Sequence, residues 1–335
     1  MNVLLIGGTG LISTGIVKHL RARGASIAMF NRGKREDTTG GGIETFHGDR
    51  NDPAALAQCT DGGRTWDVVI DMICFTPQQA EASIAAFAGK CRQFIFCSTV
   101  CTYGVKVPPR ALIDETFPQE PISQYGRDKV ACERLFTVAG QRGDFAATVV
   151  RPSHTYGPGH GMIDNLESNA VAWDRIAKGR PVLCAGDGLG LWVSTHRDDC
   201  GKLFAHACLN EKTYGQAYNA TRDAHLTWTE YYRTVAGVIG RPAQVLYMPA
   251  SWITAHERRR FALLREITHA HGAYTSDKAK RDVPEFRCTI DLAEGARDAF
   301  ADARRRNAWR DSDDDAVYED MVAKALAAGV EPVTL

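Results

Sequence analysis

Residues 1–23 read MNVLLIGGTGLISTGIVKHLRAR, and this stretch decides the fold class of the chain. An uncharged apolar run at 1–6 is followed by glycines at 7, 8 and 10, and a helix-like segment fills 11–23. A strand, a glycine turn and a helix in this order are typical of a dinucleotide-binding fold, because a diphosphate must approach bare backbone N–H groups at the helix N-terminus. We therefore expect a dinucleotide to contact Gly7, Thr9, Gly10, Leu11 and Ile12.

Strand-like and helix-like segments alternate through the first half of the chain, which predicts a parallel sheet covered on both faces. Strand patterns lie at 2–6, 26–30, 44–47, 67–73, 93–98 and 146–150, and helix patterns at 11–23, 52–59, 77–89 and 125–139. Glycine-rich loops and aromatic clusters after residue 151 indicate a smaller second lobe, with a predicted helix at 165–178. We expect a Rossmann-type doubly wound α/β fold, with a dinucleotide-binding domain at 1–153, rejoined by about 191–222, and an α+β substrate lobe mainly at 154–335.

The composition limits the classes of partner. The 335 residues include 40 basic and 40 acidic side chains, so no global field recruits nucleic acid or an acidic membrane. No apolar stretch approaches the ~18 residues of a membrane span, and the run at 1–6 is too short for a signal peptide. Ten cysteines without a Cys-x-x-Cys pair predict a reduced, cytoplasmic protein without a metal site.

The end of the second predicted strand bears on the choice between NAD and NADP. In many dinucleotide-binding folds an acidic residue there holds the ribose hydroxyls of NAD, whereas an arginine can hold the 2′-phosphate of NADP. Here Asn31 takes the acidic position and Arg32 follows, with Lys34 and Arg35 close by. Arg32 therefore favours NADP over NAD, and a solvated basic turn is the alternative.

Further residues near the ends of predicted strands are expected to contact the cofactor. The carboxylate of Asp49, after the third strand, could accept a hydrogen bond from the adenine amino group, cap the next helix, or do both. The remaining expected contacts are Arg50, Met72, Ser98 and Pro152.

Tyr125 and Lys129 are the strongest candidates for acid/base chemistry. Residues four apart on a helix share one face, and an ammonium beside a phenol favours the phenolate and lowers its pKa from about 10. Such a pair can act as a general acid/base near neutrality. The hydroxyl pair Ser98-Thr99 ends the preceding strand, where one hydroxyl could hold a substrate oxygen beside the tyrosine.

Together these motifs resemble the short-chain dehydrogenase/reductase superfamily, in particular its extended branch, the NAD-dependent epimerase/dehydratase family typified by UDP-glucose 4-epimerase. The resemblance implies a catalytic hydroxyl at Thr99, an acid/base at Tyr125, and a ribose-binding Lys129. It also implies hydride transfer with NAD(P) and a homodimer. The motifs that carry it are Gly7-Gly8-Thr9-Gly10, Gly48-Asp49, Ser98-Thr99, Tyr103-Gly104, Tyr125 with Lys129, Arg151-Pro152, Tyr156-Gly157-Pro158-Gly159 and Gly186-Asp187-Gly188.

The chain departs from this family at several positions. Val100-Cys101 follows Thr99 where sugar-nucleotide dehydratases have an Asp-Glu pair, which argues against water elimination. Trp192 stands where the family has an arginine for the nucleotide diphosphate, and His154 stands where it often has a substrate-side asparagine. Trp192 could stack on a substrate ring or pack between lobes. We expect both residues to contact substrate, although a structural histidine is the alternative for His154.

Three functional hypotheses remain open. The first is an NAD(P)-dependent epimerase or oxidoreductase that acts on a hydroxyl of a sugar or nucleotide sugar. The second is an NADPH-dependent reductase of a keto-sugar or another small carbonyl compound. The third is a non-enzymatic RNA-binding protein on the same fold, because Gly-Gly-Thr at the turn and Val68-Val69-Ile70-Asp71 also resemble an atypical group that includes chloroplast stem-loop RNA-binding proteins. The retained Tyr125 and Lys129 favour an enzyme.

Overall fold

The computed structural model describes residues 1–34, 40–106, 108, 112–168, 170–257 and 259–335. Its centre is a seven-stranded, all-parallel sheet in the order β11-β6-β5-β4-β1-β2-β3. This order is that of a doubly wound Rossmann-type sheet, which confirms the predicted fold class. The strands are β1 (Asn2–Ile6), β2 (Ser26–Asn31), β3 (Glu44–His47), β4 (Trp66–Asp71), β5 (Cys91–Cys97), β6 (Ala146–Pro152) and β11 (Gln216–Ala220).

Helices cover both faces of this sheet. One apolar cluster packs the strands against α1 and α6, and a second packs them against α3 and α4. Burial on both faces explains why the strands are continuous apolar runs rather than alternating ones. The described helices are α1 (Leu11–Ala22), α2 (Pro53–Ala57), α3 (Pro77–Phe87), α4 (Gln124–Arg142), α5 (Ala172–Ala177), α6 (Arg197–Ala207), α7 (Trp228–Ile239), α8 (Ala250–His256), α9 (Asp277–Asp282), α10 (Leu292–Arg305) and α11 (Ala316–Ala327).

Two glycines allow α1 and α6 to approach closely. A Cβ on Gly15 would lie 2.3 Å from the carbonyl oxygen of Arg197, and a Cβ on Gly201 would lie 2.4 Å from the carbonyl carbon of Gly15. The obstacles are backbone atoms, which cannot rotate away as a side chain can. This contact holds α6 against the dinucleotide-binding half of the molecule.

The second lobe is built from short strands around aromatic side chains. Its largest apolar cluster contains Trp173, Trp192 and Trp228. The strands are β7 (His154–Tyr156) paired with β10 (Ser194–His196), β9 (Leu191–Trp192) paired with β12 (Leu226–Thr227), and a three-stranded sheet of β8 (Val182–Ala185), β13 (Gln244–Met248) and β14 (Val333–Thr334). Within the described residues, no helix is long and apolar enough to cross a membrane.

The helix predicted at 165–178 was wrong in its first half, because only Ala172–Ala177 is helical. Before this helix, the side chains of Asp164 and Asn165 form hydrogen bonds with nearby and with distant groups. The Asn165 amide donates to the Thr268 carbonyl at 3.2 Å and accepts from the Ala185 N–H at 2.5 Å. Asp164 accepts from the backbone N–H groups of Leu166 and Glu167. These contacts hold the segment as a buried loop.

Candidate active site

Two adjoining cavities form one groove along the carboxyl ends of the central strands, the edge where doubly wound sheets bind ligands. We call them the Arg32 cavity, of about 420 Å³, and the Tyr125 cavity, of about 290 Å³. Both are lined by Gly7, Gly10, Ile73 and Phe75, so they are continuous. Of the other residues expected here, the Arg32 cavity contains Thr9, Asn31, Arg32, Asp49 and Arg50, and the Tyr125 cavity contains Leu11, Ile12, Met72, Ser98, Thr99, Tyr125, Lys129 and Pro152.

The glycine turn lies where the two cavities meet. Gly7 has a φ of +86°, and a Cβ on it would lie 2.6 Å from Ile73 Cγ2. A Cβ on Gly10 would meet no described atom nearer than Ser13 Oγ at 3.4 Å, so it would project toward the groove without a protein clash. Ser13, which replaces a glycine of the family pattern, is buried and donates a hydrogen bond to the Gly7 carbonyl at 2.7 Å. The turn therefore leaves room for a diphosphate at the start of α1.

Two basic residues that follow β2 line the Arg32 cavity. Arg32 and Lys34 are exposed there, and Asn31 uses its side-chain oxygen to accept from the Gly33 N–H at 2.7 Å. The Asn31 oxygen therefore stabilises the turn, which is a different role from the carboxylate that holds ribose hydroxyls in NAD-binding folds. Arg35, the other basic residue expected here, lies outside the described residues.

Asp49 and Arg50 line the same cavity but differ in solvent exposure. Asp49 is exposed and accepts from the Asn51 backbone at 2.9 Å, whereas the cap of α2 is Asp52. The alternative that Asp49 caps this helix is thus wrong. Arg50 is buried and its guanidinium is bound to Asp71 and other groups, but Nη1 has no hydrogen-bond partner among the described residues. An unused donor in the cavity wall fits an oxygen-rich ligand, as the glycine turn does.

Lys129 is held in place by backbone oxygens. Its ammonium is buried and donates to the carbonyls of Cys74 at 2.8 Å and Cys97 at 2.6 Å. The ring of Phe75 lies 4.9 Å from the same nitrogen. The ammonium is therefore fixed at the wall of the Tyr125 cavity with part of its donor capacity already in use.

Tyr125 lies in the first turn of α4, which Ser123 caps through the Gly126 N–H at 3.0 Å. Burial of its hydroxyl raises the pKa of Tyr125 above the usual value, and hydrogen bonding with Thr99 opposes that shift. The expected lowering of the Tyr125 pKa by Lys129 is absent, because the ammonium lies against two carbonyls and desolvation dominates. The structure therefore favours a neutral phenol beside Thr99.

The Ser98 hydroxyl does not donate a hydrogen bond into the groove. Ser98 lines the Tyr125 cavity, but its hydroxyl donates to the buried carboxylate of Glu133. Only Thr99 of the expected hydroxyl pair therefore faces Tyr125. Its oxygen also accepts from the Cys101 N–H at 3.2 Å, which fixes its position at the end of β5.

His154 and Trp192 line neither cavity of the groove. The His154 ring bonds to Ser194 Oγ at 2.9 Å, and burial lowers the pKa of His154 to about 3. The other ring nitrogen is buried and has no hydrogen-bond partner in the part of the chain that the structure describes. Trp192 is stacked on Trp228 with centroids 5.0 Å apart, and its indole N–H donates to Ser194. Trp192 thus packs in the core of the second lobe, and contact of either residue with substrate stays a prediction.

The chain is similar to known proteins in sequence and in fold. Residues 79–221 match the model of the NAD dependent epimerase/dehydratase family. The chain is 27% identical to a 2'-dehydrokanamycin reductase of Streptomyces kanamyceticus, over 75% of this chain and 70% of that protein. It is 24% identical to the chloroplast stem-loop binding protein of 41 kDa b of Arabidopsis thaliana, over 97% of this chain and 85% of that protein.

Among solved structures, the UDP-glucose 4-epimerase of Thermus thermophilus, in complex with NAD, superposes with a TM-score of 0.70. The identity is 22%, and the match covers 91% of this chain and 99% of that one. The chain is thus similar to the NAD dependent epimerase/dehydratase family over residues 79–221, and the likeness to the solved structure shows a shared fold. In this chain, Val100 and Cys101 follow Thr99, and burial raises the pKa of the Cys101 thiol. These two side chains cannot replace a pair of carboxyl groups in water elimination.

Sequence reasoning missed two features of this site. Phe75 lines both cavities, is 43% exposed, and lies 6.5 Å from the ring of Tyr125. Phe75 follows shortly after the end of β4, at the edge where the strands end, and this position could have indicated that it lines the site. The second feature is the bond network of Glu133, which no local pattern could show because its partners come from other strands.

Proposed function

We propose that this enzyme transfers a hydride between NAD(P) and a carbinol or carbonyl carbon of a sugar or sugar-like compound, with Tyr125 as general acid/base. The observation that carries the proposal is the convergence of Thr99, Tyr125 and Lys129 on the cavity that adjoins the glycine turn. The glycines and the basic end of the groove support binding of a dinucleotide. The nicotinamide, when bound, supplies or accepts the hydride.

The protein residues would orient the substrate and move one proton. Thr99 would hold the substrate oxygen, and Tyr125 would donate a proton to that oxygen in reduction or accept it in oxidation. Lys129 would hold the ribose of the cofactor. The domain division at 1–153, about 191–222 and 154–335 is part of this proposal, with substrate selection in the second lobe.

An epimerase would return the hydride to the opposite face of the same carbon, with no net change in the cofactor. The names of the structural relatives support this outcome. Its substrate would be a sugar or nucleotide sugar.

A reductase of a keto-sugar or another carbonyl compound is the second candidate. Three observations favour it: the raised pKa of Tyr125, which suits proton donation, the basic end of β2, and the relative named as a 2'-dehydrokanamycin reductase. Such an enzyme would release its oxidised cofactor after each turnover and prefer NADPH.

One experiment separates these candidates. The purified protein is denatured to identify any bound nicotinamide. It is then assayed with UDP-glucose and with keto derivatives of free sugars and aminoglycosides, by NADPH absorbance and by analysis of the sugar product. Retained NAD and an epimer without net absorbance change would support the epimerase. Stoichiometric loss of NADPH would support the reductase, and no reaction with either class would count against the proposal.

A further inference from the structure

Three side chains on one face of α4 lie at the end of β5, and two of them form hydrogen bonds with it. Tyr125, Lys129 and Glu133 are spaced four apart, so they share one face of the helix. Lys129 donates to the carbonyl of residue 97, Glu133 accepts from the hydroxyl of residue 98, and Tyr125 lines the same cavity as residue 99. The position of the tyrosine hydroxyl against Thr99 thus depends on the register of α4 on this strand end.

Glu133 is the most firmly fixed of the three. Its carboxylate is 5% exposed and accepts two hydrogen bonds from Arg151, from Nε at 3.0 Å and from Nη2 at 2.6 Å. The Gln119 amide donates to it at 2.8 Å. A bidentate arginine fixes the orientation of a carboxylate as well as its distance.

The network continues across the sheet edge. Arg151 ends β6 and donates to the Tyr103 hydroxyl at 2.8 Å, and that hydroxyl donates to Asn219 of β11 at 2.8 Å. Glu133 therefore connects α4 to the ends of β5, β6 and β11. It lines neither cavity of the groove, so it has no direct path to substrate or cofactor.

We propose that Glu133 is a positioning residue, which sets the register of α4 through Ser98 and Arg151 and so holds the Tyr125 hydroxyl at Thr99. A buried ion pair contributes little net stability relative to apolar packing, but it defines one geometry. The inference rests on the proposed role of Tyr125.

The test compares Ser98→Ala and Glu133→Gln with the control Arg134→Gln, a substitution at the exposed neighbour on α4. The probe reaction is the one that the wild-type enzyme catalyses in the assay above. Because a small misplacement of reacting groups is costly, kcat should fall about 10-fold or more in both test variants. The Kd for NADPH should stay within about 2-fold in Glu133→Gln, since Glu133 does not line the groove. The control should match the wild type.

The pH profile separates positioning from a purely structural role. Displacement of Tyr125 from Thr99 should move the alkaline limb of kcat, assigned to Tyr125, to higher pH. A structural defect would instead lower kcat by the same factor at every pH. The titratable groups that face the Tyr125 hydroxyl are Cys97, Cys101 and Lys129, and all are retained in these variants.

Ser98→Ala keeps the Glu133–Arg151 pair, so it remains informative if Glu133→Gln fails to fold. Unchanged kcat in folded Ser98→Ala, or a fall in kcat without a shift of the alkaline limb, would overturn the inference. Tyr125→Phe separates it from the proposed function. If that variant is inactive while Ser98→Ala is fully active, only the positioning role fails. If Tyr125→Phe is fully active, both fail.

Discussion

At the scale of single residues, the proton on Tyr125 decides which direction of the proposed reaction the site favours. Burial raises the pKa of Tyr125, so the phenol stays protonated at neutral pH and can donate to a developing alkoxide. The sequence predicted Tyr125 and Lys129 as a pair because they are four apart on one helix, and the family resemblance added Thr99. It did not predict the proton state, which depends on how the ammonium and the hydroxyl are buried.

The pH dependence of carbonyl reduction follows from this shift. A donor with a raised pKa is active while protonated and loses activity as pH rises through that pKa. We therefore expect kcat to be constant between about pH 7 and 9 and to fall only at higher pH. Initial rates of NADPH oxidation measure this profile, and a fall centred near neutrality would contradict it.

Arg32 should decide cofactor preference. Arg32→Ala removes a charge-assisted contact to a 2′-phosphate, so the Kd for NADPH should rise about 10-fold while that for NADH changes little. Fluorescence titration with both cofactors measures the two constants. Arg142→Ala, a change in an exposed arginine at the end of α4, is the matched control. Equal losses for NADPH and NADH would contradict a contact between Arg32 and the 2′-phosphate, and no loss for either would show that Arg32 is a solvated surface residue.

His154 should make stability dependent on pH. Its pKa is lowered to about 3 in the folded protein, against about 6.5 in an unfolded chain. The unfolded state binds this proton first, so the free energy of unfolding should fall below pH 6.5 by up to about 1.4 kcal/mol per unit. Urea denaturation of wild type and His154→Gln near pH 7 and pH 5 tests this. The contribution is absent if their difference in stability is the same at both values.

At the scale of elements, the central sheet was predictable because its strands are buried on both faces and its turns contain glycine. The loop around Asn165 was not, because its conformation is set by bonds to Thr268 and Ala185, about 100 and 20 residues away. The network around Glu133 was missed for the same reason. Hydrogen-bond partners that lie far away in the sequence leave no periodic pattern in it.

The contact between α1 and α6 gives a test of the fold itself. Gly15→Ala places a methyl group against the backbone of Arg197, so we expect a loss of about 1–3 kcal/mol in the free energy of unfolding. Gly237→Ala in α7 is the control, because nothing lies within 4 Å of its Cβ. That change should stabilise by about 0.4–1 kcal/mol. Thermal denaturation distinguishes the two, and equal effects would contradict the close helix contact.

At the scale of the whole molecule, the balanced charge and the intact site favour an enzyme over an RNA-binding protein. We expect no salt-sensitive binding of a stem-loop RNA, which gel-shift titration at two salt concentrations would show. We further propose a homodimer, in line with the family resemblance. Light scattering should then give twice the 36.7 kDa mass of one chain, and a single-chain mass would contradict the dimer.

The most direct test of the central claim is the turnover of Tyr125→Phe. Removal of one hydroxyl leaves the groove for the cofactor intact, so the Kd for NADPH should be close to that of the wild type. Tyr214→Phe, outside the groove, is the matched control. If Tyr125 exchanges the proton with substrate, kcat should fall by ~10²-fold or more in the first variant only. Near-normal turnover of Tyr125→Phe, with the cofactor bound, would contradict the account.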